Sequence, residues 1–366
     1  MPAPLGPQTN IEPAAPNPQA TVGRRGYLDW LRGLAVLIMI EAHILDSWTR
    51  YDDRDSALYA AAMIAGGLGA PLFLFLAGVS VSLSAASKLR RTSDVSAASR
   101  AIVRRGLEIF GLAFLFRLQA CILSWGPWQT LLKVDILNIM GPSIMAAGAL
   151  WGWFRTHRGR CIAFAAAALA IAFLTPPVRS VGFLSSLPDP IEGYIRPRPG
   201  FTTFAFFPWA GFLFAGALPG VLLAEATERR RERTLIIRIT IAGAALATAA
   251  LGASFLPSPY ARSEFWTSSP SYFLLRTGIL TSVIGLAYAW EHRPWAAERF
   301  SPLQQLGRTS LFIYWIHVEM IYGLIVRPLH KSMSFPTAAM SIVAFAAFML
   351  VCSIVKERVA LRFKNK

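Results

Sequence analysis

The sequence predicts an all-α protein, a bundle of about ten transmembrane helices with both termini in the cytoplasm. The chain of 366 residues is 54% hydrophobic and only 15% charged, whereas a soluble domain is about 45–50% apolar and about 25% charged. Apolar runs of about 18–25 residues recur along it, the length that crosses a hydrocarbon core of about 30 Å. A net charge of +16 would suit a nucleic-acid partner, but so apolar a composition excludes one, and it excludes a disordered protein as well.

Ten apolar spans are separated by polar, proline-rich or charged connectors. We place them at residues 28–47, 58–84, 106–125, 134–153, 161–176, 203–224, 235–256, 272–290, 303–326 and 335–355. The fifth span is short and is predicted to end at Pro176-Pro177. The longest connector, 177–202, is expected to form an irregular cap over a helix mouth. Residues 1–23 are predicted to be a flexible tail rich in Pro and Ala, and residues 24–366 a single transmembrane domain.

The basic residues orient these spans, because Lys and Arg concentrate in cytoplasmic loops. With a cytoplasmic N-terminus and ten alternating spans, 25 of the 36 basic residues fall on the cytoplasmic side and ten on the outer side. The last one, Arg117, lies within the third span. Adding or removing one helix in the middle would mix the two sets, so the charge distribution favours ten spans.

The first span holds the densest group of ionisable residues, which are costly inside a bilayer and therefore candidates for function. Arg32 and His43 are eleven residues apart, so at 100° per residue they lie within about 20° of each other on the helix. Asp29 and Asp46 flank them on the same stripe, whereas Glu41 faces the opposite side. The stripe runs about 16 Å along the helix axis from Arg32 to His43, which suits a site reached from both membrane faces.

Histidine can take and return a proton near neutral pH, so His43 is a candidate general base. Asp46, three residues later, is expected to orient its ring. In the simpler interpretation, His43 only bonds a neighbouring helix and Arg32 only extends to lipid phosphate. A third interpretation is a proton-coupled transporter in which the Asp29, Arg32, His43 and Asp46 stripe acts as a relay.

Several other spans carry buried polar residues. Asp135 and Asn138 share one face of the fourth span, where they are expected either to contact an acceptor or to cap the helix. His317 and Glu319 lie in the ninth span, with an acceptor-binding or a structural role. Arg117 must find a partner on another helix, and the candidates are Asp135 and Glu319.

Short motifs along the chain resemble those of membrane acyltransferases. Leu28-Asp29-Trp30-Leu31-Arg32-Gly33-Leu34-Ala35 followed by His43 is similar to the Arg-x10-His motif of the acyltransferase 3 family. Four later segments resemble a sister group, the heparan-alpha-glucosaminide N-acetyltransferase catalytic-domain family. They are Pro71 to Ser80, Asp135 to Gly141, Pro208-Trp209 and Leu306 to His317. The resemblance covers residues 24 to 355.

This resemblance implies an enzyme, a ten- or eleven-helix transferase of the membrane. It would pass an acyl group, typically acetyl from acetyl-CoA in the cytoplasm, to a hydroxyl or amine of a glycan or similar acceptor outside. The histidine of the motif is essential in acyltransferase 3 proteins, and that role maps to His43. The lysosomal branch of the sister group instead has Asn at this position and a catalytic histidine in the loop that follows. Here that loop, residues 47–56, holds no histidine, so His43 itself is the candidate.

The candidate site divides into three groups. The catalytic group is His43, Asp46 and Arg32; the donor-binding group is Arg32, Asp29 and Arg308; the acceptor-binding group is Asp135, Asn138, Trp209, His317 and Glu319. Acetyl-CoA or another acyl-CoA is the expected co-substrate, and no metal is expected. The chain has no Gly-x-Ser-x-Gly elbow, which favours direct transfer over an acyl-enzyme. The bilayer is the other expected partner, in a multi-pass protein of a bacterial inner (plasma) membrane.

Overall fold

The computed structural model describes residues 23–123, 127–293 and 300–364. The predicted tail lies outside these residues except for residue 23. Thirteen α-helices lie within them: α1 Gly26–Trp48, α2 Ala57–Gly66, α3 Gly69–Thr92, α4 Val95–Leu123, α5 Ile136–Trp153, α6 His157–Ser180, α7 Asp189–Ile195, α8 Phe206–Glu225, α9 Arg229–Ala253, α10 Pro270–Glu291, α11 Pro302–Arg308, α12 Ser310–Tyr322 and α13 Phe335–Lys364. The described residues form no β-strand beyond two isolated bridges, so the all-α prediction is confirmed.

Seven helical segments of the described chain are long and apolar enough to cross a membrane. They are Ala57–Thr92, Val95–Leu123, His157–Ser180, Phe206–Glu225, Arg229–Ala253, Pro270–Glu291 and Phe335–Phe363. The other three predicted spans correspond to α1, with its ionisable stripe, to α5, which has only 18 residues, and to the short pair α11 and α12. A multi-pass protein is therefore supported, while the count of ten and the orientation of the termini stay predictions.

The structure differs from the predicted spans at two places, the end of the fifth span and the middle of the ninth. Pro176 and Pro177 do not end α6, which continues to Ser180. A proline at 177 cannot donate to the Phe173 carbonyl, and the Tyr260 hydroxyl donates to that carbonyl instead, at 2.9 Å. The ninth span is not one helix, because the backbone leaves helical geometry at Thr309, between α11 and α12.

Helix α1 lies inside the bundle and packs against α3, α10, α11, α12 and α13. Its contact with α11 is a close approach of two backbones: a side chain at Gly33 would overlap the Leu303 carbonyl, and one at Gly307 would overlap the Asp29 carbonyl. Near the first turn of α1, Arg25 forms an ion pair of 2.5 Å with Glu232 of α9. These contacts hold α1 in one position relative to the helices around it.

The connector after α6 is more ordered than predicted, because it contains α7 and a 3-10 turn at Gly182–Ser186. Its end pairs with Val134, two residues before α5 begins. The Val134 N–H donates to the Phe201 carbonyl at 2.7 Å, and the Thr203 N–H donates to the Val134 carbonyl at 3.0 Å. The connector thus lies against the start of α5, where Asp135 and Asn138 are found.

Candidate functional site

Two histidines meet where α1 and α12 approach each other. His43 Nδ1 lies 3.1 Å from His317 Nε2, and the two rings are nearly parallel, 11° apart with centroids at 5.2 Å. His317 is fully buried, at 0% exposed, whereas His43 is partly exposed. The pair therefore has one ring facing the site and one ring behind it. We call this end of the bundle, where α1 ends, the His43 end.

Hydrogen bonds near the end of α1 fix its distance to α12. The Ser47 hydroxyl and the Trp48 indole N–H both donate to the Ile321 carbonyl, at 3.2 and 3.1 Å. The Tyr322 hydroxyl donates to Asp46 Oδ2 at 3.1 Å, and its ring stands edge-on to His43, with centroids 5.4 Å apart. These hydrogen bonds join α1 to α12 next to the two rings. They therefore help to keep His43 and His317 in contact.

A turn closes over the same end of α1. The Arg50 N–H donates to the Met333 carbonyl at 2.9 Å, and the Met333 N–H donates to the Trp48 carbonyl at 3.0 Å. Asp53 Oδ2 accepts from the Phe335 N–H at 2.7 Å. The Arg50 side chain and this N–H together hold the pKa of the partly buried Asp53 carboxyl below its usual range.

Polar residues of α4 and α5 form a wall beside the histidines. Arg117 pairs with Asp135 Oδ2 at 3.0 Å, and both side chains are largely buried. The other oxygen of Asp135 accepts from the Ile136 N–H, and the Asp135 N–H donates to the Asn138 side chain, which caps α5. The Asp135 carboxylate is near enough to act electrostatically on His43. The two alternatives for Asp135, helix cap and site residue, are therefore compatible.

Asn138 reaches away from the cap to the connector that lies against α5. Its amide donates to the Tyr194 hydroxyl at 3.0 Å. Tyr194 belongs to α7, and its ring also meets Phe110 of α4 edge-on. This contact is what brings α7 to the wall.

The opposite end of α1, which we call the Arg32 end, is charged and closely paired. Arg32 donates to Asp29 Oδ1 at 2.5 Å and to the Ser80 hydroxyl of α3 at 2.6 Å. Arg24 pairs with the other oxygen of Asp29 at 2.8 Å. The carboxylate thus holds two guanidinium groups side by side.

Two cavities open at the Arg32 end and share Arg32, Ser84 and Arg91. The first, of about 470 Å³, is mostly apolar inside and has four basic residues in its lining, Arg32, Lys88, Arg91 and Arg105. The second, of about 440 Å³, is mostly polar and adds Arg24, Arg25 and Arg90. Phosphate groups bind best to such clusters of Arg and Lys.

A series of aromatic rings leads from the first cavity to the histidines. Phe73 lines the cavity and stacks on Tyr314 of α12, with centroids 6.1 Å apart. Tyr314 stands edge-on to His317, with centroids 5.8 Å apart. The apolar cavity and the histidine pair are therefore separated by two packed rings.

The structure brings most of the predicted site residues together at the two ends of α1. Arg32 and Asp29 lie at the cavities, and His43, His317, Asp135 and Asn138 lie at the other end. The ring partner of His43 differs from the expected one: its Nδ1 contacts His317, while the Asp46 carboxylate is engaged by Tyr322 and lies 3.8 Å from Arg54 and Lys331.

Two predicted residues, Trp209 and Arg308, lie apart from these groups, and a third, Glu319, lies near the wall without forming its ion pair. Trp209 packs on Phe204 and lies below the buried guanidinium of Arg276, in a cluster between α8 and α10. Arg308 lies near Gln305 and Glu357, and it lines neither cavity described above. Glu319 lies near enough to Arg117 to act on it electrostatically, but Asp135 forms the ion pair.

Sequence reasoning missed Ser80, Tyr194, Tyr314 and Tyr322. Ser80 and Tyr314 lie inside two of the motifs that resemble the family, Pro71 to Ser80 and Leu306 to His317, so these motifs could have pointed to them. No motif pointed to Tyr194, because it lies in a connector without one. Among the described residues, no group of three His, Cys, Asp or Glu side chains is arranged to hold a metal ion.

Comparison with known protein families gives a match over most of the helices described above. A family model described as "Heparan-alpha-glucosaminide N-acetyltransferase, catalytic" matches residues 24–257, more than half of the chain. The match includes α1 and the wall of α4 and α5, and it ends before α10. No curated protein matches the chain.

Proposed function

Since the chain belongs to the heparan-alpha-glucosaminide N-acetyltransferase catalytic family, we propose that it is an integral-membrane acyltransferase. It takes an acyl group, acetyl by preference, from acyl-CoA on the cytoplasmic face. It transfers the group to a hydroxyl or amine of a glycan or similar acceptor on the outer face, with His43 as general base. The observation that carries this proposal is the partly exposed His43, paired with His317 at one end of α1 while two basic cavities open at the other.

The residues of the cavities fit an acyl-CoA. Its phosphates would be held by the guanidinium groups of the polar cavity and by Arg32, with Asp29 orienting Arg24 and Arg32 toward them. Its apolar arm would occupy the first cavity, whose volume lies within the range of about 300–1,000 Å³ typical of ligand pockets. The donor supplies an acyl carbon activated by its thioester bond.

His43 would perform the proton transfer at Nε2, the nitrogen that does not contact His317. The acceptor oxygen or nitrogen bonds to the acyl carbon as its proton passes to His43 Nε2. The carbon–sulfur bond then breaks, and His43 returns the proton to the leaving sulfur. Asp135 and Asp46, whose charges act on His43, would stabilise the imidazolium between these steps. A general base of this kind contributes about 10²–10⁴-fold to a rate.

The test uses the purified full chain in lipid nanodiscs with radiolabelled acetyl-CoA and glucosamine as the probe acceptor. We expect labelled glucosamine from wild type and a rate lower by about 10²–10⁴-fold from His43→Ala. His292→Ala, which changes an exposed histidine at the end of α10, is the matched control and should keep the wild-type rate. Equal rates for His43→Ala and wild type would exclude His43 as the base.

The transporter interpretation has a different signature. A transporter would not bind acetyl-CoA, and it would move a solute across proteoliposomes in response to a proton gradient. The nanodisc assay combined with a flux assay on the same preparation separates the two functions. Binding of acetyl-CoA without any proton-driven flux is the result we expect.

The orientation can be tested with single cysteines in a chain whose three native cysteines are replaced by Ala. Asp52→Cys lies in an exposed turn at the His43 end, and Asp94→Cys lies between α3 and α4 at the Arg32 end. In intact cells, an impermeant thiol reagent should label the first cysteine and not the second. The reverse pattern would place the donor cavities outside, where cytoplasmic acyl-CoA does not reach them.

A further inference from the structure

The hydrogen bonds of His317 assign the protons of both histidine rings. His317 Nδ1 lies 2.8 Å from the Ile313 carbonyl oxygen, one turn earlier in α12. A carbonyl oxygen only accepts, so His317 Nδ1 must carry the hydrogen of this bond. In a neutral imidazole, the other nitrogen, Nε2, then presents a lone pair.

This lone pair faces His43. Two lone pairs do not form a hydrogen bond, so at 3.1 Å the Nδ1 of His43 must be the donor to His317 Nε2. The alternative, a cationic His317 that donates from both nitrogens, would place a charge on a side chain that is 0% exposed, which costs free energy. The neutral assignment leaves His43 with an unprotonated Nε2.

We propose that His317 is the positioning residue that fixes the tautomer and the ring orientation of His43, so that Nε2 is the basic nitrogen. This inference rests on the proposed function, in which His43 is the general base. His317 is not itself catalytic, because it is fully buried and both of its ring nitrogens are engaged.

The contact also persists through the reaction. When His43 takes a proton at Nε2, its Nδ1 hydrogen stays bonded to the His317 lone pair, and a hydrogen bond from a charged donor is stronger than one from a neutral donor. His317 thereby stabilises the imidazolium without accepting its proton. If His43 instead carried its hydrogen on Nε2, its lone pair would lie on Nδ1, facing His317, and could not deprotonate an acceptor at Nε2.

Two amide variants separate this role from a packing role. In His317→Gln, the amide oxygen can stand where Nε2 stands and accept from His43. In His317→Asn, the shorter amide reaches only the position of Nδ1, so it can satisfy the Ile313 carbonyl but offers His43 no acceptor. Both variants are polar amides that place a similar group in the same buried space.

We expect His317→Asn to lower kcat by about 10²-fold with little change in either KM, since a base held in the wrong tautomer loses its proton-accepting role. His317→Gln should recover most of the rate. Equal activity of the Asn variant and wild type, with His43→Ala inactive, would overturn the inference while leaving the proposed function in place. Equal loss in both amide variants with equal loss of thermal stability would overturn it as well, because that is the result of a packing role.

A spectroscopic measurement tests the tautomer without any substrate. In nanodiscs with ¹⁵N-labelled histidine, the ring signals absent from His43→Ala identify His43. We expect a protonated Nδ1 and an unprotonated Nε2 in wild type, and a shift toward a protonated Nε2 in His317→Asn. A protonated Nε2 in wild type would overturn the inference. If no acyl transfer is ever detected, the proposed function fails, and this spectrum still decides the tautomer.

Discussion

The two ends of α1 differ in how their polar side chains are paired inside the bundle. At the Arg32 end, the Asp29 carboxylate pairs with the guanidinium groups of Arg24 and Arg32 beside open cavities, with contacts of 2.5–2.8 Å, and the cluster keeps a net positive charge. At the His43 end, two imidazoles are joined by one hydrogen bond, and one of them is fully buried. A charged, accessible cluster suits binding of a charged ligand, whereas a hydrogen-bonded histidine pair with one ring partly exposed and one buried suits transfer of a proton.

The largest expected difference between the two ends is in the free energy of unfolding that is lost when one partner of an ion pair is removed. Arg117 and Asp135 form a buried pair at the His43 end of α4, while Arg105 and Glu108 form an exposed pair at its Arg32 end. Removing one partner of a buried pair leaves an uncompensated charge and costs about 3–5 kcal/mol. We expect this loss in the free energy of unfolding for Arg117→Met.

Arg105→Met is the matched control on the same helix. An exposed pair contributes about 0–1 kcal/mol, so this variant should unfold nearly as wild type does. Both values come from reversible unfolding of the full chain in mixed detergent micelles. Equal losses for the two variants would mean that the two ends do not differ in how they enclose charge.

The two ends also differ in how far they could be predicted from the sequence. Asp29 and Arg32 are three residues apart on one helix, so helical periodicity alone brings them together. His43 and His317 are separated by 274 residues, and only the packing of α1 on α12 makes them neighbours. The periodicity of α1 alone therefore could not predict the contact between His43 and His317. Asp46 was expected to contact the His43 ring where His317 does.

The difference between contacts within one helix and contacts between distant segments also explains which other contacts could be predicted. The Arg117–Asp135 pair was among the stated alternatives because a buried Arg needs a carboxylate and few were available. Tyr194 could not be predicted, because its contact with Asn138 depends on the path of the connector after α6. The break at Thr309 was also missed, since hydropathy over residues 303–326 does not register a change of backbone direction.

Arg32→Ala tests whether the charged end binds the donor. Hydrogen bonds to charged groups contribute about 1.5–3 kcal/mol, so we expect the KM for acetyl-CoA to rise by about 10- to 150-fold with the KM for the acceptor unchanged. Arg308→Ala is the control, because Arg308 lines neither cavity. A larger effect of Arg308→Ala than of Arg32→Ala on the donor KM would place the donor elsewhere.

Tyr194→Phe tests the wall at the other end. It removes one hydrogen bond to Asn138, and a neutral hydrogen bond contributes about 0.5–1.5 kcal/mol. We expect the KM for glucosamine to rise by about 2- to 12-fold and the donor KM to stay constant. Tyr260→Phe, which removes the hydroxyl bonded to Phe173, should change neither. A rise in the donor KM for Tyr194→Phe would contradict the proposal that the donor binds at the Arg32 end and the acceptor at the His43 end.

The turn over the His43 end gives the smallest effect, and it depends on pH. The folded state lowers the pKa of Asp53, chiefly through Arg50 and then through the Phe335 N–H. A lowered pKa means that the unfolded chain binds the proton more readily. The stabilisation is therefore present above the ordinary Asp pKa of about 3.9 and is lost as the pH falls through the lower, folded value.

Asp53→Asn should remove this dependence. We expect wild type to melt at a slightly higher temperature than the variant at pH 6, and the two melting temperatures to converge as the pH falls through the lowered pKa of Asp53. Asp55→Asn, at an exposed position in the same turn, should follow wild type at every pH. A difference between wild type and Asp53→Asn that grows as the pH falls would contradict the sign of the shift. In that case the His43 end would be closed by the backbone hydrogen bonds of Trp48, Arg50 and Met333, with no stabilisation from the Asp53 charge.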